Sequence, residues 1–66
     1  MSTRYVALFL TQEPGTHRDY LRIPSPIVGK DLYLRTTDVT FHDDPHSAAE
    51  ADERPNETFL NTVRLD

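Results

Sequence analysis

The sequence predicts a mainly β protein, or an α+β protein with little helix. The expected architecture is a small antiparallel sheet or an SH3-like or OB-like partly open barrel of four to five strands, with one short helical turn. Two observations support this class. Several short segments alternate apolar and polar residues with the period of two that strands have, and stretches rich in Pro, Gly and Asp separate them. With 66 residues, the chain is expected to form a single small domain over residues 1–66.

The first strand is predicted over residues 3–10, the longest apolar run of the chain. Its two alternating sets are Arg4, Val6, Leu8 and Leu10 on one side and Thr3, Tyr5, Ala7 and Phe9 on the other. Because both sets contain apolar side chains, we expect this strand at the centre of the sheet and buried on both faces. The rest of the chain is expected to fold around it.

Two further strands are predicted over residues 18–23 and 30–37. Pro14 and Gly15 favour a type II turn that would join the first two strands in a hairpin. Leu21 and Ile23 are expected to face the core. The loop at 24–29 is expected to be irregular because of its two prolines. The outward positions then carry tyrosine and arginine side chains, which we predict to form an interaction surface: Arg18, Tyr20, Arg22, Tyr33 and Arg35.

The C-terminal part is predicted to contain a short strand, a helical turn and a last strand. Residues 38–41 favour a short strand with Val39 and Phe41 facing inward. Ser47 and Glu50 have the spacing of a capping box, which predicts a helix over 48–54 before Pro55. Residues 57–65 are rich in strand-favouring side chains, although their spacing also fits a helical turn, and we prefer the strand.

The composition limits how such a small domain can be stabilised. The chain contains no Cys, which excludes disulfides and thiolate metal sites, and it contains no Trp. Oligomerisation is the remaining common way to stabilise so small a domain, and we expect a homodimer formed through a sheet edge. The apolar run of about five residues at 6–10 is too short for a signal sequence or a membrane span. We therefore expect a cytoplasmic protein without membrane contact.

Charge is unevenly distributed along the chain. Residues 1–35 carry a net charge of +2 and residues 36–66 a net charge of −6, for a total of −4. Residues 42–56 are predicted to form an acidic loop or short helix within the domain. Its carboxylates are candidates for docking on a basic partner by electrostatic steering: Asp43, Asp44, Glu50, Asp52 and Glu53.

The sequence contains no motif for catalysis. With only two glycines, the chain cannot form a Gly-rich phosphate loop, and neither Ser25 nor Ser47 belongs to a nucleophile motif. His42 and His46 flank two aspartates, a set of ligands that Zn, Ni or Mn accept, but Pro45 interrupts any helical pairing of the two histidines. We therefore predict no enzyme activity, no cofactor and no metal site.

These observations favour a small non-enzymatic binding module that acts on another macromolecule as an adaptor or inhibitor. We expect this macromolecule to be a protein. Its size, lack of a chemical motif and split charge are typical of accessory proteins of phages and mobile elements, in character only. One alternative is a small nucleic-acid-binding barrel that uses the Tyr/Arg surface, although the net charge of −4 disfavours it. A second alternative is a structural subunit of a larger assembly.

Overall fold

The structure, a computed structural model, describes residues 3–24 and 29–65. Within them the elements are β1 (Arg4–Thr11), β2 (Leu21–Ile23), β3 (Leu32–Asp38), α1 (Pro45–Ala51) and β4 (Glu57–Leu65). The strands form one antiparallel sheet in the order β2-β3-β1-β4. The predicted mainly β class is confirmed, and the architecture is the open sheet. The predicted irregular loop at 24–29 lies largely outside the described residues.

β1 occupies the predicted central position, with β3 on one side and β4 on the other. The predicted hairpin between the first two strands is wrong, because the longer strands β3 and β4 occupy both edges of β1. β2 pairs with β3 instead and is three residues long, shorter than predicted. Gly15 does adopt a positive φ of 62°, in a turn that the His17 N–H closes onto the Pro14 carbonyl.

One face of the sheet is covered by α1, and the core lies between them. Phe9 is fully buried there and contacts the half-buried Phe59, with ring centroids 5.5 Å apart. The buried apolar residues among those described are Ala7, Phe9, Val39 and Ala49. The expectation that β1 is buried on both faces is therefore wrong, because α1 covers only the side from which Ala7 and Phe9 project.

α1 begins three residues earlier than predicted and ends at Ala51. The Asp44 side chain caps it by accepting the Ser47 N–H at 3.2 Å, and Pro45 occupies the first turn, where its missing N–H costs no hydrogen bond. Phe41 was expected to face inward but is 95% exposed. The reason is that β3 ends at Asp38, whose carboxylate accepts the Thr40 N–H at 2.8 Å and turns the chain away from the sheet.

The last segment is a strand, as we preferred, and it contains a bulge. Phe9 lies opposite Phe59, whereas the preceding Leu8 lies opposite Asn61, so Leu60 is an extra residue on β4. The bulge moves the residues after it to the opposite face. Phe59 therefore faces the core while Val63 lies on the other side of the sheet.

Candidate functional site

The candidate site is the sheet face opposite α1, which we call the open face. Strand alternation and the pairing register bring nine aliphatic side chains to it. None of them is buried, and among the described residues no element packs over them. The aliphatic residues of the open face are Val6, Leu8, Leu10, Leu21, Ile23, Leu32, Leu34, Val63 and Leu65.

The aliphatic side chains are densest at the corner formed by β1, β2 and β3. Leu34 lies opposite Leu10 on one side and opposite Leu21 on the other. The next pair along β2 and β3 is Ile23 with Leu32. Leu21 is 66% exposed, a large fraction for a leucine within a sheet. The prediction that Leu21 and Ile23 face the core is wrong, because the core lies on the opposite face.

Polar and charged side chains also lie on the open face: at its middle, at its far end and, with Thr58 of β4, beside Leu10. Thr36 lies beside Leu8, and Asn61 of β4 flanks Leu8 on its other side. At the far end, Arg4 Nη2 donates to Asp38 Oδ2 at 3.0 Å. Hydrogen bonds from Thr40 and Arg4 lower the pKa of the Asp38 carboxyl to about 2. At neutral pH both groups are therefore charged, and their opposite charges cancel.

A shallow hollow of about 440 Å³ adjoins the aliphatic corner where β1 ends and β4 begins. Its walls include Leu10 and Leu32 of the open face, together with Thr58 and the loop residue Glu13. The hollow is open to solvent and contains no cluster of titratable groups that would suit catalysis. It extends the open face and adds a concave area to it.

The covered face holds a buried ion pair that the sequence analysis did not identify. Arg35 donates to both carboxylate oxygens of Glu57, from Nη2 at 2.6 Å and from Nε at 2.9 Å. Arg35 Nη1 also donates to Asp52 at 2.8 Å, and its guanidinium carbon lies 4.1 Å from the centre of the Phe9 ring. The side chains of Arg35 and Glu57 are 4% and 0% exposed. This geometry makes the pair part of the core.

Further hydrogen bonds tie the connection between β1 and β2 to this pair. The Tyr20 hydroxyl donates to Glu57, and Arg54 donates to both oxygens of Asp19 at 3.0 and 2.8 Å. Burial raises the pKa of Glu57, but the hydrogen bonds from Arg35 and Tyr20 outweigh it and bring the pKa down to about 2. Hydrogen bonding to Glu57 raises the pKa of Arg35. Both groups of the pair are therefore ionised.

The predicted Tyr/Arg interaction surface is not an exposed stripe. Register places Arg22, Tyr33 and Arg35 on one face, but it is the face that α1 partly covers. Arg35 is enclosed, Tyr20 and Tyr33 are half-buried, and Arg22 is paired with Asp31 at 2.6 Å. Arg18 is exposed and lies before β2. The assignment of inner and outer faces was inverted, since alternation alone does not tell which side a helix covers.

Four of the five predicted acidic residues make contacts within the protein. Asp44 caps α1, Asp52 binds Arg35, and Glu53 accepts the Phe59 N–H at 2.7 Å. Glu50 lies 2.9 Å from His46. The fifth, Asp43, is exposed.

The two candidate metal ligands do not form a site. His46 stacks edge-on against Phe59 and lies beside Glu50, whereas His42 is exposed in the preceding turn. Across residues 3–24 and 29–65, no group of three or more His, Cys, Asp or Glu converges as metal ligands do. In the same part of the chain, α1 is much too short to cross a bilayer, and no other helix is long and apolar enough to do so.

The open face therefore remains the candidate site, on the strength of its geometry. When compared with family models, with curated proteins and with solved structures, the chain matched none of them.

Proposed function

We propose that this protein is a small non-enzymatic binding module that acts by protein–protein contact, as an adaptor or inhibitor, and that the open face is its contact surface. The observation that carries the proposal is the set of nine aliphatic side chains on one sheet face, none of them buried. A soluble monomer rarely leaves a contiguous apolar patch of this size in water unless the patch binds something.

The energetic argument rests on apolar area. Burying a leucine or isoleucine side chain fully contributes roughly 1.5–3 kcal/mol relative to leaving it exposed. At the corner of β1, β2 and β3, Leu21 and Ile23 are exposed and their neighbours in register are half-buried, so a partner can contact this corner as one apolar surface. The resulting contact would have an apolar centre with polar groups at its rim, as protein interfaces have.

The nucleic-acid alternative has less support. Binding to phosphates requires accessible cations, and affinity grows with the number of them that make contact. Arg35 is enclosed between Glu57 and Asp52, and Arg22 and Arg54 each pair with an aspartate. Arg4, at the rim of the open face, is also paired.

The test is partner capture by the immobilised protein from a lysate of its source, with and without nuclease treatment, followed by mass spectrometry of the retained material. Leu21→Glu with Leu34→Glu places two carboxylates at the centre of the open face. The matched control is Thr16→Glu with Ala51→Glu, which adds the same charge at exposed positions away from that face. We expect the wild type and the control to retain one stoichiometric protein and the double open-face variant to lose it.

Two results would contradict the proposal. Equal retention by all three proteins would show that the open face makes no contact. Retention that disappears on nuclease treatment would favour the nucleic-acid alternative. Far-UV circular dichroism of each variant shows that a loss of capture is not a loss of fold.

A further inference from the structure

Resting on the proposed function, we infer that the protein covering the open face is a second copy of this chain, packed sheet to sheet as a homodimer. The open faces of the two copies form the contact, and the two α1 helices lie on the outside. The interface is isologous, because the same surface of each copy meets the other across a two-fold axis.

The first argument is the area that the protein exposes. Its accessible surface is 5028 Å². Accessible surface scales with mass, and a compact monomer of 7.6 kDa exposes roughly 4300 Å². The excess of about 700 Å² is close to the roughly 800 Å² that each partner contributes to a standard interface. A second copy packed on the open face would bury an area of this size on each chain.

The second argument is the small size of the core on the covered face. The buried apolar residues among those described are two alanines, one valine and one phenylalanine. The other sheet face carries larger aliphatic side chains, and these are half-buried or exposed. Two sheets that pack face to face, about 10 Å apart, would convert these side chains into a second apolar layer.

The third argument is the placement of charge. Each copy carries a net charge of −4, which opposes association if the acids meet. The acidic residues 43–53 belong to α1 and its flanking turns, on the covered side of the sheet. In a face-to-face dimer they point away from each other. Arg4 and Asp38, at the rim, already form an ion pair, so covering the face leaves neither of these two charges unpaired.

These arguments favour sheet-to-sheet packing over the edge-to-edge dimer expected from the sequence. β4 is nine residues long and has an unpaired outer edge, so strand addition there is stereochemically feasible. Edge pairing would add backbone hydrogen bonds but would leave the nine aliphatic side chains of the open face no more buried than they are in the single chain. Only contact through the face buries them.

Sedimentation equilibrium over a wide range of protein concentration tests the proposal. We expect the wild type to reach twice the 7.6 kDa chain mass as concentration rises. Leu34→Glu is expected to weaken dimerisation at least about 100-fold, since the substitution acts on both copies. Leu21→Glu, at a position already 66% exposed, gives a second variant with little risk to the fold. Ala51→Glu on α1 should dimerise like the wild type.

The mode of packing is tested by isotope-filtered NOE spectroscopy on a sample that mixes labelled and unlabelled chains. Face-to-face packing predicts intermolecular contacts among the methyl groups of Leu8, Leu10 and Leu34. Intermolecular contacts confined to β4 would overturn the inference in favour of edge pairing. Assembly beyond the dimer would overturn it in favour of a structural subunit.

The outcomes also separate this inference from the proposed function. A protein that stays monomeric at every concentration overturns the inference. If that monomer still captures another protein and the Leu21→Glu, Leu34→Glu variant does not, the open face is a contact surface for a different partner. If capture is unaffected by the variant, both proposals fail.

Discussion

Replacing Glu57 by glutamine removes one charge from the buried ion pair while keeping the size of the side chain. Glu57 accepts two hydrogen bonds from Arg35, one from Tyr20 and one from the Arg54 N–H. Its side chain is fully buried, so water cannot replace the lost charge. Arg35 would keep only Asp52, which is half exposed, as an ionised partner.

Two independent considerations give the magnitude. Breaking a buried ion pair by removing one partner costs roughly 3–5 kcal/mol. Lowering the Glu57 pKa from 4.5 to about 2 corresponds to about 3 kcal/mol of preferential stabilisation of the carboxylate in the folded state. A domain of 66 residues is stable by only about 3–10 kcal/mol in total. We expect Glu57→Gln to remove about 3 kcal/mol, enough to leave the fold marginal.

The assay is urea denaturation followed by far-UV circular dichroism at neutral pH. Asp52→Asn is the matched control: it also removes one carboxylate from Arg35, but a half-exposed one, and we expect it to cost less than about 1 kcal/mol. If the free energy of unfolding of Glu57→Gln lies within about 0.5 kcal/mol of the wild type, the ion pair between β3 and β4 does not stabilise the fold and the reasoning is refuted.

The same variant gives a pH signature. Because the pKa of Glu57 is lower in the folded state than in the unfolded chain, its contribution is complete above pH 4.5 and is lost as the pH falls towards about 2. By about pH 3 the wild type should have lost about 2 kcal/mol from this group. Glu57→Gln lacks this component, so its stability should fall less over the same range. Parallel pH profiles for the two proteins would contradict the assignment.

Two further predictions concern local backbone geometry. Asp44→Ala removes the cap of α1 and should cost about 1 kcal/mol in urea denaturation, whereas Asp44→Ser should recover most of the loss; equal stability of all three proteins would mean that α1 does not need its cap. Asn56 adopts a φ of 64° in the turn before β4, where the Glu57 N–H donates to the Arg54 carbonyl at 3.2 Å. Asn56→Ala should therefore destabilise by roughly 1–2 kcal/mol in a thermal melt while Asn56→Gly stays near the wild type, and the opposite order would refute the strained-turn interpretation.

Local pattern predicted the elements better than it predicted their pairing. Alternation and strand-favouring side chains identified β1, β3 and β4 to within two residues at each end, because these signals depend only on neighbouring positions. The prediction of a hairpin between the first two strands was wrong, because the strand that pairs with each edge of β1 is the one that forms the most favourable ladder with it. β3 and β4 each offer longer ladders to β1 than β2 does.

The sequence predicted which residues of β3 share a face of the sheet, but not which of the two faces is open. The alternation of Leu32 and Leu34 with Tyr33 and Arg35 was visible in the sequence, and so were the two faces that it defines. Tyrosine and arginine on a strand normally favour the solvent side, which led to the inverted assignment. Arg35 faces inward because Glu57, 22 residues away along the chain, neutralises it there.

The sequence by itself determined the class of the protein, its central strand, the positive φ at Gly15 and the absence of disulfides. Each follows from covalent chemistry or from interactions between near neighbours. Only the tertiary structure decided which face of the sheet α1 covers, where the β4 bulge falls and which arginine is buried. Those features depend on contacts between residues far apart in the chain. The open face exists because α1 packs on the other side of the sheet, which the sequence alone does not show.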